Sequence, residues 1–97
     1  MEYLKKFNLT SEDINDIVNT IDEQDIMELE FNEERVASIM EYLVSLGIKD
    51  IKNILIYKTN IFYDDLESIK RRFDEYTGID IIDVINENLI NFDLIGI

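Results

Sequence analysis

Residues 21–34 read IDEQDIMELEFNEE and hold seven carboxylates, Asp22, Glu23, Asp25, Glu28, Glu30, Glu33 and Glu34, with no base among them. Carboxylates at this density can chelate a hard cation, share a proton in acid–base chemistry, or face a basic partner. An EF-hand loop needs oxygens at its first, third and fifth positions and a glycine at its sixth. Counted from Asp22, Gln24 fits the third position, but the fifth is Ile26 and the sixth is Met27. No metal or other cofactor is therefore expected, although Asp25 and Glu28 add further oxygens. The chain also has no histidine and no cysteine. The commonest general base and the thiol nucleophile are thus missing, and there is no glycine-rich phosphate loop. These absences point away from an enzyme. A basic partner or a solvated inter-helix loop remains.

The only basic cluster is Lys70, Arg71 and Arg72. With Lys49, Lys52 and Lys58 on a neighbouring helix it would make a phosphate-binding strip, the alternative reading. Pairing with Glu67, Asp74 and Glu75 on adjacent turns competes for the same cations. The net charge of −13 is unevenly placed. Residues 1–40 carry eleven acids and three bases, residues 41–76 seven and six, and residues 77–97 four and none. Nucleic acid and anionic membranes should be repelled overall, and a basic protein attracted. Direct nucleic-acid binding is accordingly disfavoured.

Helices must position these groups. With 97 residues and 46% apolar composition the chain is expected to form a single all-α domain, residues 1–97. Thr10 or Ser11 can cap a helix bearing Ile14, Ile17, Val18 and Ile21, and Asn32 one bearing Val36, Ile39, Met40 and Leu43. Gly47 suits the left-handed residue beyond that helix. Ile51, Ile54 and Leu55 mark a third helix. Asp64 with Glu67 resembles a capping box for a fourth, which carries Leu66, Ile69 and Phe73 and ends at Gly78. Ile81, Ile82 and Ile85 mark a fifth, and a short helix over 2–7 is expected at the start. Within 26–31, Met27, Leu29 and Phe31 alternate with Glu28 and Glu30, so an extended connector or a frayed turn is expected there. Tyr42, Tyr57, Phe62, Tyr63, Phe73 and Tyr76 recur near helix ends and read as core rather than as base-stacking platforms.

The sequence repeats itself. DIKNILIYKTNIF at 50–62 aligns with DIIDVINENLINF at 80–92 at a constant offset of 30. Before each segment a helix ends at Gly47 or Gly78 and an isoleucine follows, Ile48 or Ile79. A weaker copy, EYLKKFNLTSEDINDIV, opens the chain and echoes EYLVSLGIKDIKNIL after a two-residue insertion. Approximate repeats are 2–40, 41–73 and 74–97. Five or six short helices in stacked pairs, a short solenoid-like array, would bury a continuous core that no single pair could.

The segment YLVSLGIKDIKNILIYKTNIFYDDLESIKRRFDEYTGI carries a resemblance to the mitochondrial transcription termination factor (mTERF-like) family of helical repeats. That pattern has a helix, a leucine-glycine corner, a second helix, a proline-bearing turn and the next helix. Leu46 and Gly47 match the corner, Ile54 and Leu55 the second helix, and Ile61 and Phe62 the apolar pair after the turn. Thr59 stands where proline is typical. The resemblance implies a curved all-α solenoid and nucleic-acid binding on a basic concave face.

At the other end, Leu89, Ile90, Phe92, Leu94, Ile95 and Ile97 either close the last repeat or form a homodimer surface, with Leu89, Phe92, Leu94 and Ile95 as its residues. No apolar run approaches the ~20 residues needed to span a bilayer. The expectation is a soluble, cytoplasmic, non-enzymatic module. Its acidic residues would meet a basic partner protein, in the sharper form as a nucleic-acid mimic that inhibits a nucleic-acid-handling protein.

Overall fold

Residues in the left-handed region mark turns of the chain. In the computed structural model, which describes residues 1–78 and 80–97, the first such turn follows a 3-10 helix, η1, over Glu2–Phe7. Asn8 sits at φ 64°, a conformation that asparagine tolerates better than most residues. Helix α1, Ser11–Thr20, is capped by Thr10 rather than by Ser11. The Asp13 amide donates to Thr10 Oγ1 at 3.0 Å and the Thr10 amide to Asp13 Oδ2 at 2.9 Å, a reciprocal cap.

Residues 23–31 are not an extended connector. They form a third element, helix α2, Glu23–Phe31, capped by Asp22, which accepts from the Asp25 amide at 2.9 Å. The acidic stretch is thus helical through most of its length and not a loop. Helix α3, Glu33–Ser45, follows after a one-residue break at Asn32. Asn32 occupies the cap position, but its side chain does not cap. Its amide donates to the Glu28 carbonyl and its oxygen accepts from Arg35. Val36, Ile39, Met40 and Leu43 form the expected stripe and are fully buried.

At the end of α3, Gly47 has φ 96°. The Ile48 amide donates to the Leu43 carbonyl at 3.1 Å and the Gly47 amide to that of Val44 at 3.0 Å. This paired closure satisfies two carbonyls that the helix leaves bare. The same pattern recurs at Gly96, φ 79°, where the Ile97 amide donates to Phe92 and the Gly96 amide to Asp93.

The offset of 30 survives in three dimensions. Helix α4 covers Ile51–Tyr57 and α6 covers Ile81–Glu87, seven residues each. Asp50 and Asp80 cap them. Each leads into a 3-10 helix, η2 at Thr59–Tyr63 and η3 at Leu89–Ile95. Phe62 and Phe92, thirty apart, are both fully buried. Ile79, the counterpart of Ile48, lies outside the described residues. Between the two units runs α5, Leu66–Glu75. Its cap is Asp65, accepting from the Ser68 amide at 2.7 Å, one residue later than the expected Asp64 with Glu67. It stops three residues before Gly78, which is not in the left-handed region.

Among the described residues there are six α-helices, three 3-10 helices and no strand. One apolar cluster runs through them from Leu4 to Ile95. The extents are 36 × 24 × 22 Å.

Candidate functional site

The acidic stretch sorts into two kinds of carboxylate. Glu28 forms an ion pair with Arg35, one turn into α3. Arg35 also donates through Nε to the Phe62 carbonyl at 3.0 Å and through Nη1 to Asn32 Oδ1 at 3.3 Å. One guanidinium therefore joins α2, the break, α3 and η2. Asp25 accepts the hydroxyl of Tyr63 at 2.5 Å. That bond, with partial burial and the nearby Asp25, Glu28 and Asp22 charges, pushes the Tyr63 hydroxyl up to about 12. Glu28 and Asp25 thus face inward to neighbouring elements.

Asp22, Glu23, Glu30, Glu33 and Glu34 face solvent. Neither they nor Asp25 pair with any cation among the described residues. Beneath them Leu29 is fully buried, and its carbonyl accepts the Tyr3 hydroxyl at 2.7 Å. Burial first, then the Glu33 and Glu30 charges, push that hydroxyl above the ordinary tyrosine range. The face is a helix pair held from below, with carboxylates on its outer side. Amid them Phe31 is 76% exposed and Met27 49%. Sequence reasoning grouped these two with Leu29 as one side of a strand. On a helix Leu29 points inward and Met27 and Phe31 do not.

Most of the six basic residues of the alternative site are engaged within the chain. Lys52 reaches α1, at 2.8 Å from Asp16 and 3.3 Å from Asp13. The two carboxylates raise its ammonium above the usual lysine range, Asp16 foremost. Asp13 is held low, first by the Thr10 amide and then by Lys52. Lys58 bonds Asp93 at 3.0 Å. Arg72 donates to the Ile95 and Gly96 carbonyls at 3.3 and 3.1 Å. Lys70 lies 4.0 Å from Glu67 and 5.7 Å from the centre of the Tyr42 ring. Four of the six are thus tied within the chain, and Lys49 and Arg71 remain exposed.

The expected dimer surface divides. Phe92 and Ile95 belong to the core and cannot present themselves to a partner, because η3 turns them inward. Leu89 is half-buried, and Leu94 stays exposed with Ile90. The aromatics divide too. Phe62 and Phe73 are core, Tyr42 and Tyr76 pack partly against it, and Tyr57 and Tyr63 are exposed rather than buried. Among the described residues no three carboxylates lie together in a way that could hold a metal ion, and no helix is long and apolar enough to cross a membrane.

Comparison with protein-family models, with curated proteins and with solved structures found no match to this chain.

Proposed function

We propose that this chain is a non-enzymatic interaction module whose acidic α2–α3 face binds a basic, nucleic-acid-handling protein by offering carboxylates where a nucleic acid offers phosphates. One observation carries the reading. Among the described residues six of the seven carboxylates in the stretch lack a cation, although the chain pins cations to carboxylates elsewhere, at Lys52 and Lys58. The magnitude fits. Along 36 Å, duplex DNA carries about 21 charges at one per ~1.7 Å. The chain's −13 is of the same order.

The thirty-residue echo supports a finer reading of the fold, in which α4–η2 and α6–η3 are stacked units of a solenoid-like array of mTERF-like plan. The nucleic-acid binding such a plan would bring is disfavoured here, because four of its six candidate cations have intramolecular partners.

Fluorescence anisotropy with a lysine-rich peptide and with a DNA duplex as alternative probes tests the function. The peptide should bind at low salt and be released as salt rises, and changing Glu23, Glu30, Glu33 and Glu34 together to glutamine should abolish binding. A chain that binds the duplex and ignores the peptide would overturn the reading.

A further inference from the structure

Helix α2 turns two large apolar side chains to solvent. Met27 and Phe31 stand one turn apart, on one face of the helix. Phe31 also forms one wall of a shallow groove at the α2–α3 break, with Glu30, Asn32, Glu33, Glu34 and Arg35 around it. The exposure is imposed by the fold and is not fraying. Three ties hold the opposite side of α2 inward: the Tyr3 hydroxyl on the Leu29 carbonyl, the Tyr63 hydroxyl on Asp25, and Arg35 on Glu28. Rotating α2 to bury Phe31 would break all three and expel Leu29 from the core. An apolar centre rimmed by charge is the anatomy of a binding surface, and aromatic side chains dominate such centres.

The rim selects the occupant. A second copy would bring another −13 and the same carboxylates onto this face. Nucleic acid and anionic lipid carry the same sign. A bare polycation would satisfy the rim and leave Phe31 wet. Resting on the function proposed above, we infer that Met27 and Phe31 form an apolar anchor within the acidic face, and that its partner is a cationic amphipathic helix with an aliphatic side chain among its lysines or arginines.

Two synthetic peptides of equal length and charge test this, one with leucines at i, i+3, i+4 and i+7 among lysines so that it forms an amphipathic helix, the other with glutamine in place of each leucine. Titrations use the parent and a Met27→Gln, Phe31→Gln double variant, since glutamine keeps helix propensity. The leucine peptide should bind the parent at least about tenfold more tightly than the glutamine peptide, the scale of one anchor residue. In the variant that ratio should fall close to unity while the glutamine peptide binds as before. Equal affinities in the parent, or a preference that survives in the variant, would overturn the anchor and leave the electrostatic reading standing. Binding of neither peptide would overturn both. Sedimentation of the free chain adds one further outcome: a dimer that the double variant abolishes would assign the ridge to a second copy and overturn the cationic partner.

Discussion

The Tyr63 hydroxyl and Asp25 Oδ1 lie 2.5 Å apart, across 38 residues of sequence. This bond fastens η2 to the inner edge of the acidic helix. It holds a proton that an ordinary tyrosine, at 10.0, would release earlier. A hydroxyl raised in the folded state stabilises the fold below its unfolded value, and that contribution is lost as pH rises through the folded one. Stability should therefore decline between about pH 10 and about 12. Tyr3 is raised in the same direction and adds to the decline. Denaturant midpoints across that window should show a shallower loss in Tyr63→Phe than in the parent. An identical slope would remove Tyr63 from the account.

Arg35 and the outer glutamates should respond oppositely to change. Arg35→Met bares the Phe62 carbonyl and leaves Glu28 without its cation. It should cost about 1–3 kcal/mol of stability, the range for an unsatisfied polar group. Glu30→Gln touches no partner within the chain, so urea unfolding should barely register it, while association with a lysine-rich peptide should slow.

In the core, Ile54 is fully buried and its repeat counterpart Val84 is only half-buried. Ile54→Ala should cost about 2–5 kcal/mol by chemical denaturation. Val84→Ala should cost visibly less. Equal costs would mean that the two units bury their helices alike.

At Gly47 a substitution would be strained by backbone and not by space. An added Cβ would meet only Ile82 Cγ2, at an ordinary 3.7 Å, but φ is 96°. Gly47→Ala should destabilise by about 1 kcal/mol. Gly47→Asn should lose less, as asparagine visits that region more readily. Thermal melts of the two variants decide it.

Much of the helical plan was legible because burial and periodicity agree there. Val36, Ile39, Met40 and Leu43 recur at helical spacing and all point inward. The thirty-residue offset was legible because Asp50 and Asp80 begin the same local structure. Helix α2 was hidden because it has one fully buried anchor, Leu29, against two exposed apolar residues in the same segment. With Met27 and Phe31 counted as core, the pattern reads with a period of two. The ridge was concealed for the same reason, since an apolar residue off the helical period looks like a strand residue until the helix is known. For Phe92 and Ile95 the sequence leaves core and partner surface open: a run apolar on every side gives no period from which to tell inside from outside. The division between inward and outward carboxylates depends on Arg35 and Tyr63, distant contacts that local pattern does not encode.

Asn86 shows how the second unit is fastened. Its side-chain amide donates to the Gly47 carbonyl at 2.9 Å and its oxygen accepts from the Lys49 amide at 3.0 Å. Beyond that grip, Lys58 and Arg72 reach η3, while α6 packs chiefly on η3 itself. By contrast η2 is wedged among α2, α3 and α4. Two copies of one pattern therefore sit at different depths of the free-energy ladder. Amide protons of 81–95 should exchange through a partial opening that leaves 51–63 closed, because, beyond the buried Ile81, Ile85, Phe92 and Ile95, its ties are polar and near the surface. Salt should hasten that opening by screening the Lys58–Asp93 pair, and 51–63 and 81–95 would then open as two separate cooperative blocks.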